Sequence, residues 1–131
     1  MQALTRAIVE DCTAASDEER ITFPEVVRNL ASAGIERYVT DLVRSEKVYF
    51  LPSGESHLTP AHAIDERPAM SFYAEGVEAA IRAIQAGQIQ YIEFCRRIMR
   101  AGCVGYLVSL AGRRAVYYGR TGEAHVELFP A

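Results

Sequence analysis

Glutamate and histidine stand two residues apart at two places in the chain, Glu55 with His57 and Glu123 with His125. On a β-strand each carboxylate and imidazole would project from the same face, because side chains alternate along a strand. If a two-fold arrangement brought both pairs together, they would form a set suited to a divalent transition metal or to acid–base chemistry. The alternative, which we favour, is a polar strand face without a ligand. No third ligand motif accompanies the pairs, so we predict no cofactor, and any metal site would depend on His57 and His125.

Four tyrosines occupy matching positions in the two halves of the chain, namely Tyr38, Tyr49, Tyr106 and Tyr117. Exposed on a sheet, such rings could stack against a planar ligand, and Tyr49 and Tyr117 are the residues we would assign to it. The interpretation we favour makes them cross-strand pairs over the core, with their hydroxyls reaching water. Nucleic acid is not an expected partner, because the aromatic positions match a nucleic-acid-binding sheet only weakly.

Charge is unevenly distributed along a chain whose net charge is −3. The first half is acidic and the last third is basic, with Arg96, Arg97 and Arg100 on one predicted helix. Such a patch could bind phosphate or an acidic protein, although a solvated arginine face is the commoner meaning of a small cluster. The opposite charges also favour association between copies, so a homodimer is among the expected partners, beside an unidentified protein or small molecule.

Three cysteines, Cys12, Cys95 and Cys103, form neither an even set nor a CxxC pair. This pattern argues against a disulfide framework and against a zinc ribbon. None of the three lies at a predicted helix N-terminus, so we expect buried apolar fillers rather than reactive thiols. The chain also lacks P-loop, GxGxxG, HExxH and GxSxG motifs, and we assign no catalytic residue.

A longer similarity organises the whole sequence, because segment 23–58 recurs without gaps as segment 91–126. Identical residues in the alignment include both Glu-x-His pairs and the four tyrosines. We interpret the similarity as an internal duplication, with copies at 1–58 and 69–131 and a connector at 59–68. Neither copy would bury enough apolar surface alone, so we expect the two to share one core.

Periodicity predicts the same five elements in each copy, two helices followed by a three-stranded meander. Thr22 and Glu25 form a capping box at the start of the second helix, and Gly34 ends it. The polar residues of the third strand, Glu55 and His57, are expected to point away from the core. The predicted helices span 3–15, 23–33, about 71–87 and 91–101, and the predicted strands span 38–43, 47–51, 55–58 and about 105–110, 114–118 and 123–129.

These elements predict an α+β fold: one pseudo-two-fold domain with an antiparallel sheet of up to six strands and helices packed on it. A hydrophobic content of 50% with 24% charged residues is ordinary for a globular domain of 131 residues. No apolar run approaches the length of a membrane span, and the first residues do not resemble a secretory signal. We therefore expect a cytoplasmic protein.

The segments FPEVVRNLASAGIERY, KVYFLPSGESH and AGCVGY, together with Tyr117, Gly122 and Glu123, resemble the YdfO-like family of small bacterial and prophage proteins. Members are sometimes labelled phage envelope proteins. The resemblance implies an α+β fold and an uncharacterised cytoplasmic protein, and it carries no site residues. From the residues themselves we predict a binding or interaction module without catalysis. The alternative is a small metal- or ligand-dependent enzyme or sensor that uses the two Glu-x-His pairs.

Overall fold

The computed structural model describes residues 1–130 and contains four helices and six strands in the predicted order. Their bounds are α1 (Ala3–Asp17), α2 (Phe23–Ser32), β1 (Arg37–Asp41), β2 (Glu46–Phe50), β3 (Ser56–Pro60), α3 (Ala74–Gln85), α4 (Tyr91–Arg100), β4 (Cys103–Ser109), β5 (Arg114–Gly119) and β6 (Ala124–Leu128). The predicted α+β class is confirmed. Descent of the two halves from one duplicated unit stays a hypothesis, as does the division into copies and connector.

The ends of α2 follow from local chemistry. The backbone N–H of Thr22 donates to the Glu25 carboxylate at 3.0 Å, which completes the predicted capping box. At the other end Gly34 adopts a φ of +82°, a conformation that glycine reaches without steric cost. The N–H of Ile35 then returns to the carbonyl of Leu30 at 3.0 Å and turns the chain toward β1.

All six strands form one antiparallel sheet in the order β3-β2-β1-β4-β5-β6. The two meanders therefore lie side by side, joined where β1 pairs with β4. The middle pair of the β1–β4 register is Val39 opposite Leu107. The alignment of the two halves of the sequence matches the same two residues. Each half thus extends from the centre of the sheet to one of its edges.

The core lies between the helices and one face of this sheet, which we call the covered face. Apolar residues of every helix reach it, for example Val9, Leu30, Val77 and Ile98, all fully buried. The opposite side of the sheet, which we call the open face, has no helix against it, and its non-glycine side chains are all exposed or half-buried. Within residues 1–130 no helix combines the length and apolar character needed to cross a bilayer.

The predicted orientation of the third strand was wrong. Thr59 is buried and His57 is half-buried on the covered face, whereas Leu58 is 50% exposed on the open face. The strand also runs to Pro60, two residues into the predicted connector. Alternation alone could not show which set of side chains faces the helices. At this edge of the sheet α1 supplies polar partners, so the polar set turns inward.

Candidate functional site

The two Glu-x-His pairs lie at opposite edges of the sheet. His57 is on β3 and His125 is on β6, the first and last strands of the order. Five interstrand steps of about 4.8 Å separate these strands by about 24 Å. The hypothesis that both pairs converge on one site was therefore wrong. No three histidine, cysteine, aspartate or glutamate side chains of residues 1–130 are grouped so that they could hold a metal ion.

Each histidine instead contacts a carboxylate other than its predicted partner. His57 Nε2 lies 2.9 Å from Oε1 of Glu10, on α1. His125 Nε2 lies 3.2 Å from Oε1 of Glu127, two residues further along β6. Arg82 of α3 donates to the same Glu127 at 2.8 Å, and this hydrogen bond lowers the pKa of that carboxyl group. The His57–Glu10 contact connects β3 to α1, and the Arg82–Glu127 hydrogen bond connects β6 to α3, whereas the His125–Glu127 contact lies within β6.

The two glutamates of the predicted pairs lie in turns just before their strands. Glu55 pairs with the amino group of Met1. Glu123 accepts a hydrogen bond from the hydroxyl of Thr121 at 2.8 Å. Neither carboxylate contacts the histidine of its own pair. The residues shared by the two sequence segments instead form two similar turns.

The tyrosines form the centre of the covered face. Tyr49 is 1% exposed and Tyr117 is 8% exposed, and the rings stand in cross-strand pairs with centroids 5.1 Å and 5.4 Å apart for Tyr38–Tyr49 and Tyr106–Tyr117. The prediction that these rings cover the core is confirmed. Because helices lie over Tyr49 and Tyr117, neither ring presents a face to a planar ligand in this structure.

The prediction that the tyrosine hydroxyls reach water was wrong. Thr13 Oγ1 lies 2.9 Å from the hydroxyl of Tyr49 and 2.8 Å from that of Thr59. The hydroxyls of Tyr91 and Tyr106 are 2.7 Å apart. Burial raises the pKa of both of these phenols well above the ordinary value, so they stay protonated donors.

The three arginines of α4 are partly neutralised by neighbouring carboxylates. Arg97 and Arg96 contact Glu93 at 3.0 and 3.7 Å, and Arg100 contacts Glu66 at 2.7 Å. The hydrogen bond from Arg97 is the main cause of a lowered pKa at Glu93. A role of this face in binding a partner stays a prediction.

The cysteines are buried, as predicted. Cys12, Cys95 and Cys103 are at most 1% exposed. Burial raises the pKa of Cys95 to about 11 and that of Cys103 to about 12. Both thiols are therefore protonated at neutral pH and are poor nucleophiles.

The pairing of the strands arranges the residues of the open face in three parallel rows. Each row runs across the six strands and takes one residue from each strand. The middle row is entirely apolar and is continuous across all five strand pairs. We call it the apolar row, and it comprises Leu58, Val48, Val39, Leu107, Val116 and Val126. The row on one side, which we call the basic row, contains Arg37 and Arg114. The acidic row, on the other side, contains Asp41 and Glu46.

A buried lysine is the feature that the sequence analysis missed. Lys47 is the only lysine of the chain. It is 3% exposed and lies on the covered face of β2, two residues before Tyr49. That spacing was a usable signal, because a residue two positions from a core tyrosine on the same strand shares its face.

No family model matches the chain. Three proteins are similar to it, each named only as uncharacterized: Mb2035 of Mycobacterium bovis, and MT2067 and Rv2012 of Mycobacterium tuberculosis. Each is 29% identical over 112 residues, which cover 83% of this chain and 67% of the relative. These similarities extend over most of the sheet and helices but supply no activity or ligand.

Proposed function

We propose that this chain is a protein interaction module whose open face binds a second copy of the chain to form a homodimer. The observation that carries the proposal is the apolar row. At each of its six positions the sequence supplies valine or leucine, although water reaches this side of the sheet in the single chain. Continuous apolar surface of this kind marks interaction sites on soluble proteins.

The size of the open face sets the expected strength of the contact. Six strands at about 4.8 Å spacing and five residues at about 3.3 Å rise give a face of roughly 29 by 17 Å. Two such faces in contact bury on the order of 1,000 Å², which is the lower end for specific interfaces. We therefore expect a reversible dimer with a dissociation constant in the micromolar range, about −8 kcal/mol.

The charged rows select one arrangement of the two copies. A two-fold axis parallel to the apolar row places the basic row of each copy opposite the acidic row of the other. Arg37 and Asp41 are both on β1. Arg37 of each copy would therefore face Asp41 of the other copy across the interface. An axis parallel to the strands would instead place rows of like charge together, which is unfavourable.

Local contacts hold the charged groups of Arg37 and Asp41 in fixed positions at the surface. The Arg37 guanidinium lies 4.2 Å from the Phe50 ring centroid and also contacts Glu36. Asp41 accepts hydrogen bonds from the backbone N–H groups of Val43 and Arg44 at 3.0 and 2.9 Å. Both side chains are thus oriented before association, which lowers the entropy lost on binding.

A charge-swap series with sedimentation equilibrium tests the arrangement. Arg37→Asp and Asp41→Arg alone each place like charges across the axis, and we expect each to weaken the dimer at least about tenfold. The double variant Arg37→Asp/Asp41→Arg restores both contacts and should recover most of the affinity. Mixing the two single variants should likewise give a heterodimer. The two residues are about 13 Å apart along β1, so rescue within one chain is not expected.

The control is Arg28→Asp, which makes the same charge change on the exposed surface of α2. It should leave the dissociation constant unchanged, and thermal melts should show that every variant is folded. A natural chain that stays monomeric at several hundred micromolar would overturn the proposal. If the natural chain dimerises but the double variant does not recover affinity, the proposed two-fold axis is wrong. Cytoplasmic location and a relation to the YdfO-like family belong to the proposal as predictions made from sequence.

A further inference from the structure

Strand β6 is at one end of the sheet, and among residues 1–130 it has a partner strand on one side only. Just beyond it, the N–H of Phe129 donates to the carbonyl of Arg113 at 2.9 Å. Backbone groups alternate in direction along an antiparallel strand, so the odd-numbered residues of β6 bond to β5 and the even-numbered residues point outward. The outward residues are exposed and comprise Ala124, Val126 and Leu128.

The opposite edge of the sheet, β3, is blocked by a proline. Pro60 is one of its outward residues, because the N–H of Leu51 donates to the carbonyl of Glu55 at 2.9 Å and thereby sets the same alternation. Proline has no N–H to donate, and edge prolines prevent strands of other molecules from pairing. The alignment of the two halves of the sequence matches Pro60 with Leu128. The edge at β6 therefore keeps the donor that the edge at β3 lacks.

The sequence of β6 is complementary to itself in one antiparallel register. With Val126 opposite Val126 of a second copy, all five residues of the strand are paired and all its outward N–H and C=O groups are satisfied. His125 of each copy is then opposite Glu127 of the other. Registers centred on His125 or on Glu127 pair fewer residues, and they place two identical side chains of that residue opposite each other.

The charges near the edge favour the register centred on Val126. Arg82 of α3 donates to Glu127 at 2.8 Å and lowers the pKa of that carboxyl group, so Glu127 is ionised at neutral pH. In the proposed register His125 and Glu127 of different copies would form a pair without backbone hydrogen bonds, in which side chains approach within about 5 Å. Such a pair brings an imidazole to a carboxylate and separates the two carboxylates.

We propose that β6 is a second interaction surface, which pairs edge to edge with β6 of another copy of the chain. The contact joins the two sheets into one sheet of twelve strands, six from each copy. Its two-fold axis is perpendicular to the sheet at Val126, so both open faces lie on the same side and the two apolar rows join end to end. The contact goes beyond the face-to-face dimer and does not require it.

The two contacts together would close an assembly of four copies, a consequence that also rests on the proposed function. The axis of the face-to-face dimer is parallel to the apolar row, and the edge axis crosses that row at a right angle. The two axes therefore intersect, and they generate a tetramer with three perpendicular two-fold axes. Pro60 blocks the remaining edge of each sheet, so the assembly ends at four copies.

Amide hydrogen exchange measured by NMR tests the edge contact. The N–H of Val126 would donate to a second copy, so its exchange should slow at least about threefold between about 20 μM and about 1 mM protein. The N–H of Leu58, at the matched position on β3, is the internal reference. Both residues belong to the apolar row, so face-to-face association alone would affect the two amides alike. We expect slowing at Val126 well beyond any at Leu58, and equal behaviour would overturn the proposal.

The variant Leu128→Pro gives β6 the residue that β3 has at the matched position. The N–H of Leu128 points away from β5, so the substitution removes an outward donor and no hydrogen bond within the sheet. We expect the dissociation constant of the edge contact to rise at least about tenfold and the slow exchange at Val126 to disappear. The control Leu128→Ala shortens the same side chain and keeps the N–H, so it should retain slow exchange.

Sedimentation equilibrium distinguishes failure of this proposal from failure of the face-to-face dimer. Leu128→Pro should leave a dimer formed by the open face, whereas Arg37→Asp should leave a dimer formed by β6, and the natural chain should reach a tetramer. If the open face does not associate, the natural chain stops at a dimer in which Val126 still exchanges slowly. Slow exchange at Val126 that persists in Leu128→Pro, with thermal melts showing a folded variant, would overturn the edge contact.

Discussion

Both faces of the sheet depart from the usual distribution of polar and apolar residues. The covered face buries Lys47, Thr40 and a set of tyrosine hydroxyls beneath four helices. The open face displays an unbroken apolar row to water, from Leu58 at one edge to Val126 at the other. In most two-layer α+β domains the sheet side that faces water is the polar one.

The contrast indicates where each kind of function belongs. Polar groups on the covered face are held by hydrogen bonds, as in the cluster of Thr13, Tyr49 and Thr59, whereas the buried amine of Lys47 lies against the rings of Tyr91 and Tyr38. The apolar row on the open face has no helix against it, so the proposed association belongs on that side of the sheet.

A valine-to-alanine substitution should cost more free energy of unfolding on the covered face than on the open face, and this is the largest difference that we expect. Val108→Ala removes two methyl groups from a fully buried position, and we expect the free energy of unfolding to fall by about 2–3 kcal/mol. Val48→Ala, on the half-buried apolar row, should lower it by about 1 kcal/mol or less. Urea denaturation at a protein concentration far below that of dimerisation measures both. Equal losses would mean that the open face is packed in the single chain.

The variant Lys47→Met tests the environment of Lys47 on the covered face, because the difference in stability between the natural chain and the variant should depend on pH. Methionine removes the cost of a buried ammonium, so at neutral pH the variant should be more stable by about 1 kcal/mol. The folded-state pKa of Lys47 is lowered, so between that pKa and about 10.4 the unfolded chain binds a proton that the folded chain does not. The stability of the natural chain relative to the variant must therefore rise with pH, by at most about 1.4 kcal/mol per pH unit.

Other groups titrate in the same pH range, and comparing the two proteins at each pH removes most of their contribution to stability. The cysteines and tyrosines of the core have raised pKa values, so they lower the stability of both proteins above about pH 9, with a small difference at Cys95, whose pKa Lys47 lowers. Thermal and urea melts of the two proteins from pH 6 to pH 9.5 give the difference directly. A gap that is constant over this range would contradict a lowered pKa at Lys47 within it.

The two edge histidines should give the smallest effects. His57→Ala and His125→Ala each remove a partly exposed contact with a carboxylate, and each should cost about 0.5 kcal/mol or less. About 24 Å separates the two edges, so the double variant should show the sum of the single losses to within about 0.5 kcal/mol. Coupling above that limit would restore the idea of one joint site.

Local signals in the sequence predicted the elements with errors of a few residues. The capping box of Thr22 and Glu25 fixed the start of α2, and Gly34 fixed its end, because each acts on neighbouring backbone groups. The tyrosine pairs were correctly assigned to the core. Their hydroxyls were not, since the partners of Tyr49 and Tyr106 lie on helices α1 and α4.

The candidate sites were much less predictable. Glu55 and His57 match Glu123 and His125 in sequence, and only the strand order shows that the two pairs cannot meet. Lys47 was not singled out from the sequence, although it shares a strand face with Tyr49, and the helices that bury it are distant in the chain. No pattern in a single segment shows that six residues from six strands form one apolar row.

By itself the sequence determined the element order, the helix ends and the residues capable of reaching the core, since these depend on spacing and on neighbouring backbone groups. At β3 the tertiary structure alone decided which side chains the helices cover. That choice buried Thr59 and exposed Leu58, because alternation places side chains on two faces but only packing against another layer makes one of them the interior.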